Sequence, residues 1–140
     1  MNTGFVPLEA AAIAAPVTSF TRMLERHDLT LPRTPLEILQ VNLTARCNLA
    51  CTHCHVESGP KREEALDERG IDRLIELMPT AASLHTLDLT GGAPEMHPQF
   101  RRLAAAGRAH GLKVIDRCNL TVLFEPGQED TAEFLAAHEI

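Results

Sequence analysis

The sequence predicts an α/β fold with a parallel sheet, because an extended run, a loop and a helical run follow one another three times. The chain has 140 residues, enough for one domain with its own core, and its 44% hydrophobic and 23% charged content is typical of a globular protein. In the first two extended runs, every second side chain is polar toward the carboxyl end, where parallel α/β folds place their sites.

We expect residues 1–35 to form a lead-in segment and residues 36–140 to form the folded core. The apolar run Ala10–Val17 is too short to span a bilayer, and no basic residue precedes it as in a signal peptide. Thr18 or Ser19 is a suitable N-cap for a short helix that follows.

Each element of the core has its own local signal. Apolar residues at helical spacing, ended by Pro79, predict the first core helix, and Pro98 suits the first turn of the second. Gly111 suits a left-handed helix terminus, and the turn at Glu125–Gly127 separates the third strand from a last helix. The predicted strands are Leu36–Thr44, Leu84–Thr90 and Lys113–Leu120, and the predicted helices are Asp67–Met78, one from near Pro98, and Asp130–His138.

Strand alternation predicts one apolar and one polar sheet face. In the first strand, Asn42 and Thr44 share the face opposite Val41 and Leu43, and the second strand alternates likewise. A parallel sheet buried on both faces is apolar on both, so the polar face indicates a site at the strand ends, or polar residues that merely cap those ends. The third strand is ambiguous, because Asp116 to Asn119 places polar groups on both faces.

Cys47, Cys51 and Cys54 form a C-x3-C-x2-C triplet in the loop after the first strand. Three thiolates can hold three irons of a cubane cluster and leave the fourth iron open, whereas ferredoxins supply four cysteines. A metal position left open by the protein is typical of sites that bind a substrate or cofactor. The alternatives are a zinc site of three cysteines with His53 or His55 and, less favoured in a chain without a secretory signal, a disulfide framework.

The cysteine triplet resembles the signature of the radical S-adenosylmethionine (radical SAM) superfamily. That resemblance implies a [4Fe-4S] cluster and S-adenosylmethionine as cofactors, with Cys47, Cys51 and Cys54 as the metal ligands. It also implies a partial βα barrel of the radical SAM type, with three βα units that correspond to the amino-terminal half of a six-unit core. Radical chemistry of this kind belongs to the cofactor, and the protein supplies position and shielding.

The same resemblance assigns further cofactor-binding positions. The loop after the second strand, Gly91-Gly92-Ala93-Pro94, resembles the superfamily's Gly-Gly-Glu-Pro motif, so the backbone role carries over to Gly91, Gly92 and Ala93. Ala93 stands where the motif has its acid, and the carboxylate role therefore does not carry over. His53 occupies the position of an adenine-lining aromatic residue, and Asn119 resembles a polar residue that other members direct at the cofactor. No catalytic residue is assigned.

Four blocks of sequence are similar to the arsenosugar-biosynthesis radical SAM proteins. That resemblance implies transfer of a 5′-deoxyadenosyl group to a methylated arsenic compound, with an electron donor such as flavodoxin or ferredoxin as partner. The blocks are Leu39–Leu43, Cys54–Val56 with Gly59–Arg62, Asp88–Glu95 and Asp116–Thr121.

The remaining expectations concern the whole chain. Net charge is −6, the aromatic residues are five Phe, and no basic run occurs, which disfavours nucleic-acid binding. We expect a cytoplasmic protein without membrane association, with a small-molecule substrate besides S-adenosylmethionine. Because three βα units leave an unpaired strand edge, we expect a partial core that is inactive alone. The alternatives are a zinc-binding interaction module, an inactive remnant, or a miniature domain that dimerises.

Overall fold

The computed structural model describes residues 19–32 and 34–140. The chain divides into two units, Met1–Thr34 and Pro35–Ile140. Within the first unit, helix α1 spans Phe20–Arg26, and the side chain of Ser19 accepts a hydrogen bond from the backbone N–H of Arg22 at its start. The predicted helix and its Ser19 cap are therefore confirmed, whereas the apolar run Ala10–Val17 lies outside the described residues.

The second unit contains a three-stranded parallel sheet in the order β1-β2-β3. This sheet confirms the predicted α/β class with three parallel strands, consistent with a partial barrel. None of the described helices is long and apolar enough to cross a membrane. The strands are β1 (Ile38–Thr44), β2 (Thr86–Gly91) and β3 (Lys113–Asp116), and the helices are α2 (Glu68–Leu77), α3 (Phe100–Ala109) and α4 (Thr131–Ala137).

Two features set the helix boundaries as the sequence predicts. The side chain of Asp67 accepts a hydrogen bond of 2.7 Å from the N–H of Gly70 and caps α2, satisfying one of the free donors at a helix start. After α3, Gly111 has φ +75°, the left-handed conformation expected of a glycine there. The prediction was wrong for the third strand, which ends at Asp116 rather than Leu120.

The third strand ends at Asp116, and the polar side chains that follow it form hydrogen bonds of their own. The Arg117 guanidinium donates to Asp88 on β2, and the Asn119 amide donates to Asn48 in the cysteine loop. Leu120 then adopts φ +60°, which turns the chain into a short 3-10 segment at Thr121–Phe124. The last backbone bond to β2 is the one from the Arg117 N–H to the Leu89 carbonyl at 3.0 Å, and side-chain contacts take over beyond it.

The core lies on one sheet face, where α2, α3 and α4 pack. Leu87 and Leu89 of β2 are fully buried there against Leu103 of α3. Gly107 of α3 lies so close to β2 that an added Cβ would stand 2.7 Å from a Leu87 methyl carbon. The opposite face carries Gln40 and Asn42, both exposed, together with Asp88. The amphipathic division predicted from strand alternation is therefore present in β1 and β2.

Candidate iron–sulfur and cofactor site

The cysteine loop begins where β1 ends and is held by backbone hydrogen bonds. Ala45 and Gly59 face each other, with the N–H of Gly59 donating to the carbonyl of Ala45 at 3.1 Å. The N–H of Cys47 donates in turn to the carbonyl of Gly59 at 3.2 Å. These bonds pair the two ends of the loop, so the three cysteines project from a fixed base.

The three sulfurs differ in exposure and in their hydrogen bonds. Cys47 is buried and its sulfur accepts from the Leu49 N–H at 3.4 Å, whereas Cys51 is exposed. The sulfur of half-buried Cys54 accepts from the Ser58 N–H at 3.4 Å. Backbone N–H groups of Ser58, and then of Val56, lower the pKa of the Cys54 thiol because they stabilise its thiolate. Thiolates are the form that binds a metal.

The donor set of this loop fits an iron–sulfur cluster better than a single zinc ion. Four thiolate or imidazole ligands on one zinc, with Zn–S of about 2.3 Å, stand only about 3.8 Å apart. Among residues 34–140, the three cysteines and the two loop histidines provide no group of three ligand atoms within 4.8 Å of one another. A cubane binds each cysteine at a different iron and so accepts sulfurs that stand farther apart.

The Gly-Gly loop after β2 contacts the base of the cysteine loop directly. The N–H of Gly92 donates to the Thr44 carbonyl at 2.6 Å, and the N–H of Ala93 donates to the Arg46 carbonyl at 2.9 Å. A Cβ at Gly92 would stand 2.1 Å from the Arg46 oxygen, and Gly91 has φ +128°. The glycines are therefore required by close backbone approach to residues 44–46, a reason that sequence reasoning, which assigned them to the cofactor, did not supply.

Asn119 and Asn48 join the loop after β3 to the cysteine loop. The Asn119 amide nitrogen lies 2.9 Å from Asn48 Oδ1 and 3.5 Å from the sulfur of Cys47. The side-chain oxygen Oδ1 of Asn119 accepts from the N–H of Val122 at 3.0 Å, which fixes the orientation of the side-chain amide. The structure thus brings Asn119 to the cysteine loop, whereas Asn48 was missed because a single asparagine between cysteines carries no pattern.

His53 lies on the exposed surface of the loop, as does His55. Its exposed ring is available to a ligand above the cysteines, so the sequence-based assignment of His53 to cofactor binding stays a prediction. On the polar sheet face, the Arg117 guanidinium donates to Asp88 at 2.8 and 2.7 Å. These bonds hold the pKa of the Asp88 carboxyl below its usual range. The ion pair was missed because its partners are far apart in sequence.

Another polar group lies at the ends of β2 and β3. Buried Glu95 follows the Gly-Gly loop. Asp116 is the last residue of β3, and Cys118 lies two residues beyond it. Burial, and then the neighbouring Glu95, raise the pKa of the Asp116 carboxyl above its usual range. The same two causes raise the pKa of the Cys118 thiol to about 12. Cys118 is therefore a neutral thiol in the protein without metal, and its sulfur accepts from the Leu120 N–H at 3.2 Å.

Together, a parallel α/β sheet and a three-cysteine loop at its carboxyl edge define a domain of the iron–sulfur enzyme type. Comparison with protein families identifies it further, because the radical SAM superfamily model matches residues 41–139. The chain belongs to the radical SAM superfamily, whose members are enzymes that use a [4Fe-4S] cluster and S-adenosylmethionine.

Several curated relatives share this part of the sequence. The chain is 36% identical over 113 residues to the GTP 3′,8-cyclase of Synechococcus sp. (strain CC9902), 79% of this chain and 31% of that protein. It is 28% identical over 105 residues to the Fe-coproporphyrin III synthase of Methanosarcina barkeri, 74% of this chain and 26% of that protein. It is 30% identical over 99 residues to the mycofactocin maturase of Mycobacterium ulcerans, and this match covers 69% of this chain and 26% of that protein. The chain thus spans less than a third of the length of these relatives.

Proposed function

We propose that this chain binds a [4Fe-4S] cluster through Cys47, Cys51 and Cys54 and binds S-adenosylmethionine at the iron that the cysteines leave free. Support comes from the membership of the superfamily and from the loop itself, whose three cysteines are free thiols. When bound, the cluster supplies one-electron reduction of the cofactor, and such clusters span roughly −700 to +450 mV. An external electron donor such as flavodoxin or ferredoxin belongs to this proposal.

The residues of the chain position this site rather than carry out the chemistry. The hydrogen bonds from Gly92 and Ala93 to the backbone at residues 44–46 hold the cysteine loop against the end of β2. In the same arrangement, we assign the backbone of Gly91, Gly92 and Ala93 to the methionine part of the cofactor. We assign the ring of His53 to contact with the adenine of the cofactor. We assign the side chain of Asn119 to a polar contact with the cofactor.

Proximity of the Asn119 amide to a ligand sulfur is the observation that supports this reading of the site. Hydrogen bonds to cluster sulfurs tune the reduction potential, and Asn119 lies 3.5 Å from the Cys47 sulfur. The test is anaerobic reconstitution with iron and sulfide, followed by addition of S-adenosylmethionine to the reduced protein. We expect a cubane absorption band and a change in the electron paramagnetic resonance spectrum on addition. Zinc binding without any cluster would reject the proposal.

For the substrate, we propose transfer of the 5′-deoxyadenosyl group to a methylated arsenic compound. Support for this comes from the sequence blocks at Asp88–Glu95 and Asp116–Thr121, which are similar to arsenosugar-biosynthesis proteins. The competing candidate is GTP, the substrate named for the cyclases that share 36% identity over 113 residues. Because the partial core is expected to be inactive alone, trivalent dimethylarsenic and GTP are offered in parallel to the reduced full-length protein with S-adenosylmethionine. Mass spectrometry identifies an adenosylated arsenical or a cyclised nucleotide.

The four free cysteines also indicate the cellular compartment in which the protein works. Thiols without disulfide partners are typical of proteins in a reducing environment, and a [4Fe-4S] cluster with an open iron is sensitive to oxidation. We therefore propose that the protein works in the cytoplasm. Fractionation of cells that express the full chain tests this directly, and recovery of the protein from an oxidising compartment would contradict it.

A further inference from the structure

We propose that Glu95, Asp116 and Cys118 form a binding site for one divalent cation of the zinc type, separate from the three-cysteine loop. One carboxylate oxygen from each acid and the Cys118 sulfur lie within 4.8 Å of one another. Glu95 belongs to the 3-10 turn Pro94–Met96 after β2, and Asp116 ends β3. The proposal does not depend on cluster or S-adenosylmethionine binding, because none of its ligands comes from that loop.

The position of these acids on the sheet is unusual. Asp116 pairs with Leu89 across β2 and β3 and, by strand alternation, shares the face of Val114. That face is the apolar one, which the helices cover. Asp88, by contrast, lies on the polar face, where Arg117 neutralises it. The Asp116 carboxylate has therefore been placed on the side of the sheet where an uncompensated charge costs the most.

No described residue forms a geometrically sound hydrogen bond to either carboxylate, although the neutral Cys118 thiol lies beside both. Glu95 is only 5% exposed, and neither of its carboxylate oxygens receives a hydrogen bond. Both Asp116 oxygens are likewise buried without a partner. The Gln128 amide donates to the backbone carbonyl of Glu95 at 3.0 Å and not to its side chain. Two such acids side by side require either a shared proton or a bound cation.

The third member of the group favours a bound cation. A shared proton needs only the two carboxyl groups, whereas the structure adds the Cys118 sulfur to the same space. Two carboxylates and a thiolate are a ligand set for zinc and similar borderline metals, because Mg²⁺ and Ca²⁺ prefer oxygen ligands and bound water. Zn–O of about 2.0–2.2 Å and Zn–S of about 2.3 Å place neighbouring ligands about 3.5 Å apart. The three ligand atoms, within 4.8 Å of one another, must therefore close by about 1 Å around a bound cation.

Three protein ligands leave a fourth tetrahedral position free for water or for a donor atom of another molecule. The site adjoins the cysteine loop, since Cys118 packs against the buried cluster of Cys47, Ala93 and Val122. A cation here would cross-link the ends of β2 and β3 at the base of the proposed cofactor site. It would also neutralise the charge that the two acids otherwise leave in the apolar layer.

The test uses the full chain with its three loop cysteines replaced by Ala, so that Cys118 is its remaining thiol. Co²⁺ serves as the probe because a tetrahedral thiolate complex gives a charge-transfer band. We expect one Co²⁺ per chain in equilibrium dialysis, with a band of single-thiolate intensity. Further replacement by Cys118→Ala should abolish the band, and Glu95→Gln should weaken Co²⁺ binding by at least about 100-fold. Glu133→Gln, which removes an exposed acid, is the matched control and should bind normally.

A second measurement covers the case in which the triple variant does not fold. The cluster-loaded wild-type protein and its Glu95→Gln variant are dialysed against Zn²⁺, and their zinc and iron contents are compared. We expect one zinc fewer in the variant at equal iron. Equal zinc in the two proteins, or a folded triple variant that binds no Co²⁺, would overturn the proposal and leave the acids sharing a proton. Failure of cluster formation is recorded separately as missing iron, so it does not affect this outcome.

Discussion

Replacement of Gly92 by Ala is the sharpest test of how the structure supports the cysteine loop. The new Cβ would stand 2.1 Å from the Arg46 carbonyl oxygen, whereas Cβ contacts below 3.0 Å are essentially never observed. The backbone of one loop must therefore move by about 0.9 Å, the difference between those distances. That movement breaks or stretches the hydrogen bonds from Gly92 to Thr44 and from Ala93 to Arg46.

The expected cost follows from these losses. Each backbone hydrogen bond contributes about 1 kcal/mol, and overpacking at a rigid site costs about 1–3 kcal/mol. We therefore expect Gly92→Ala to lower the free energy of unfolding by about 3–5 kcal/mol, or the melting temperature by at least about 10 °C. Because the displaced carbonyl belongs to the residue before Cys47, the variant should also bind less iron after reconstitution.

Urea unfolding followed by circular dichroism, together with iron analysis, measures both effects. Gly59→Ala is the matched control, because Gly59 lies in the cysteine loop that Gly92 contacts and its added Cβ would meet nothing closer than an oxygen at 4.0 Å. The control should stay within about 1 kcal/mol of the wild type. If Gly92→Ala matched the control in stability and iron content, the close approach of the two loops would not be a real constraint and the reasoning would fail.

Three further predictions concern separate parts of the site. Replacing any one loop cysteine by Ala should abolish the cubane absorption after reconstitution, whereas Cys118→Ala should retain it; a cluster that survives loss of a loop cysteine would contradict the ligand assignment. Asn119→Ala should lower the reduction potential of the cluster in a redox titration, because one hydrogen bond to the Cys47 sulfur is lost; an unchanged potential would count against that contact. Arg117→Met should destabilise the protein at pH 7, because the Asp88 carboxylate, only 7% exposed, loses its charged partner; the loss is moderated because the Arg117 side chain is 56% exposed. Since Arg117 depresses the folded-state pKa of Asp88, its stabilisation is present above the unfolded pKa of about 3.9, so the difference between the proteins should shrink as pH falls below about 4; a difference independent of pH would refute the ion-pair explanation.

Local signals in the sequence were sufficient for most of the secondary structure, although not for the end of β3, and for the position of the cysteine loop. Hydrophobic period, proline and glycine positions and capping side chains act over a few residues, so they place α2 and the end of α3 correctly. Strand alternation likewise separated the apolar face from the polar face of β1 and β2. The cysteine spacing indicated the superfamily because three ligands of one cluster lie within a single short loop.

The sequence alone could not show contacts between segments that are distant along the chain. Only the folded chain places the Arg46 carbonyl against Gly92, which explains the glycine pair by backbone approach. Only the pairing register between β2 and β3 shows that Asp116 lies on the apolar face, because the alternation of residues in the third strand was ambiguous. Only the folded chain pairs Arg117 with Asp88 and Asn119 with Asn48 beyond the end of β3, because these partners are far apart in sequence. Local pattern thus determined the elements and the cysteine loop, whereas long-range packing decided which buried charges meet and which of them are left without a partner.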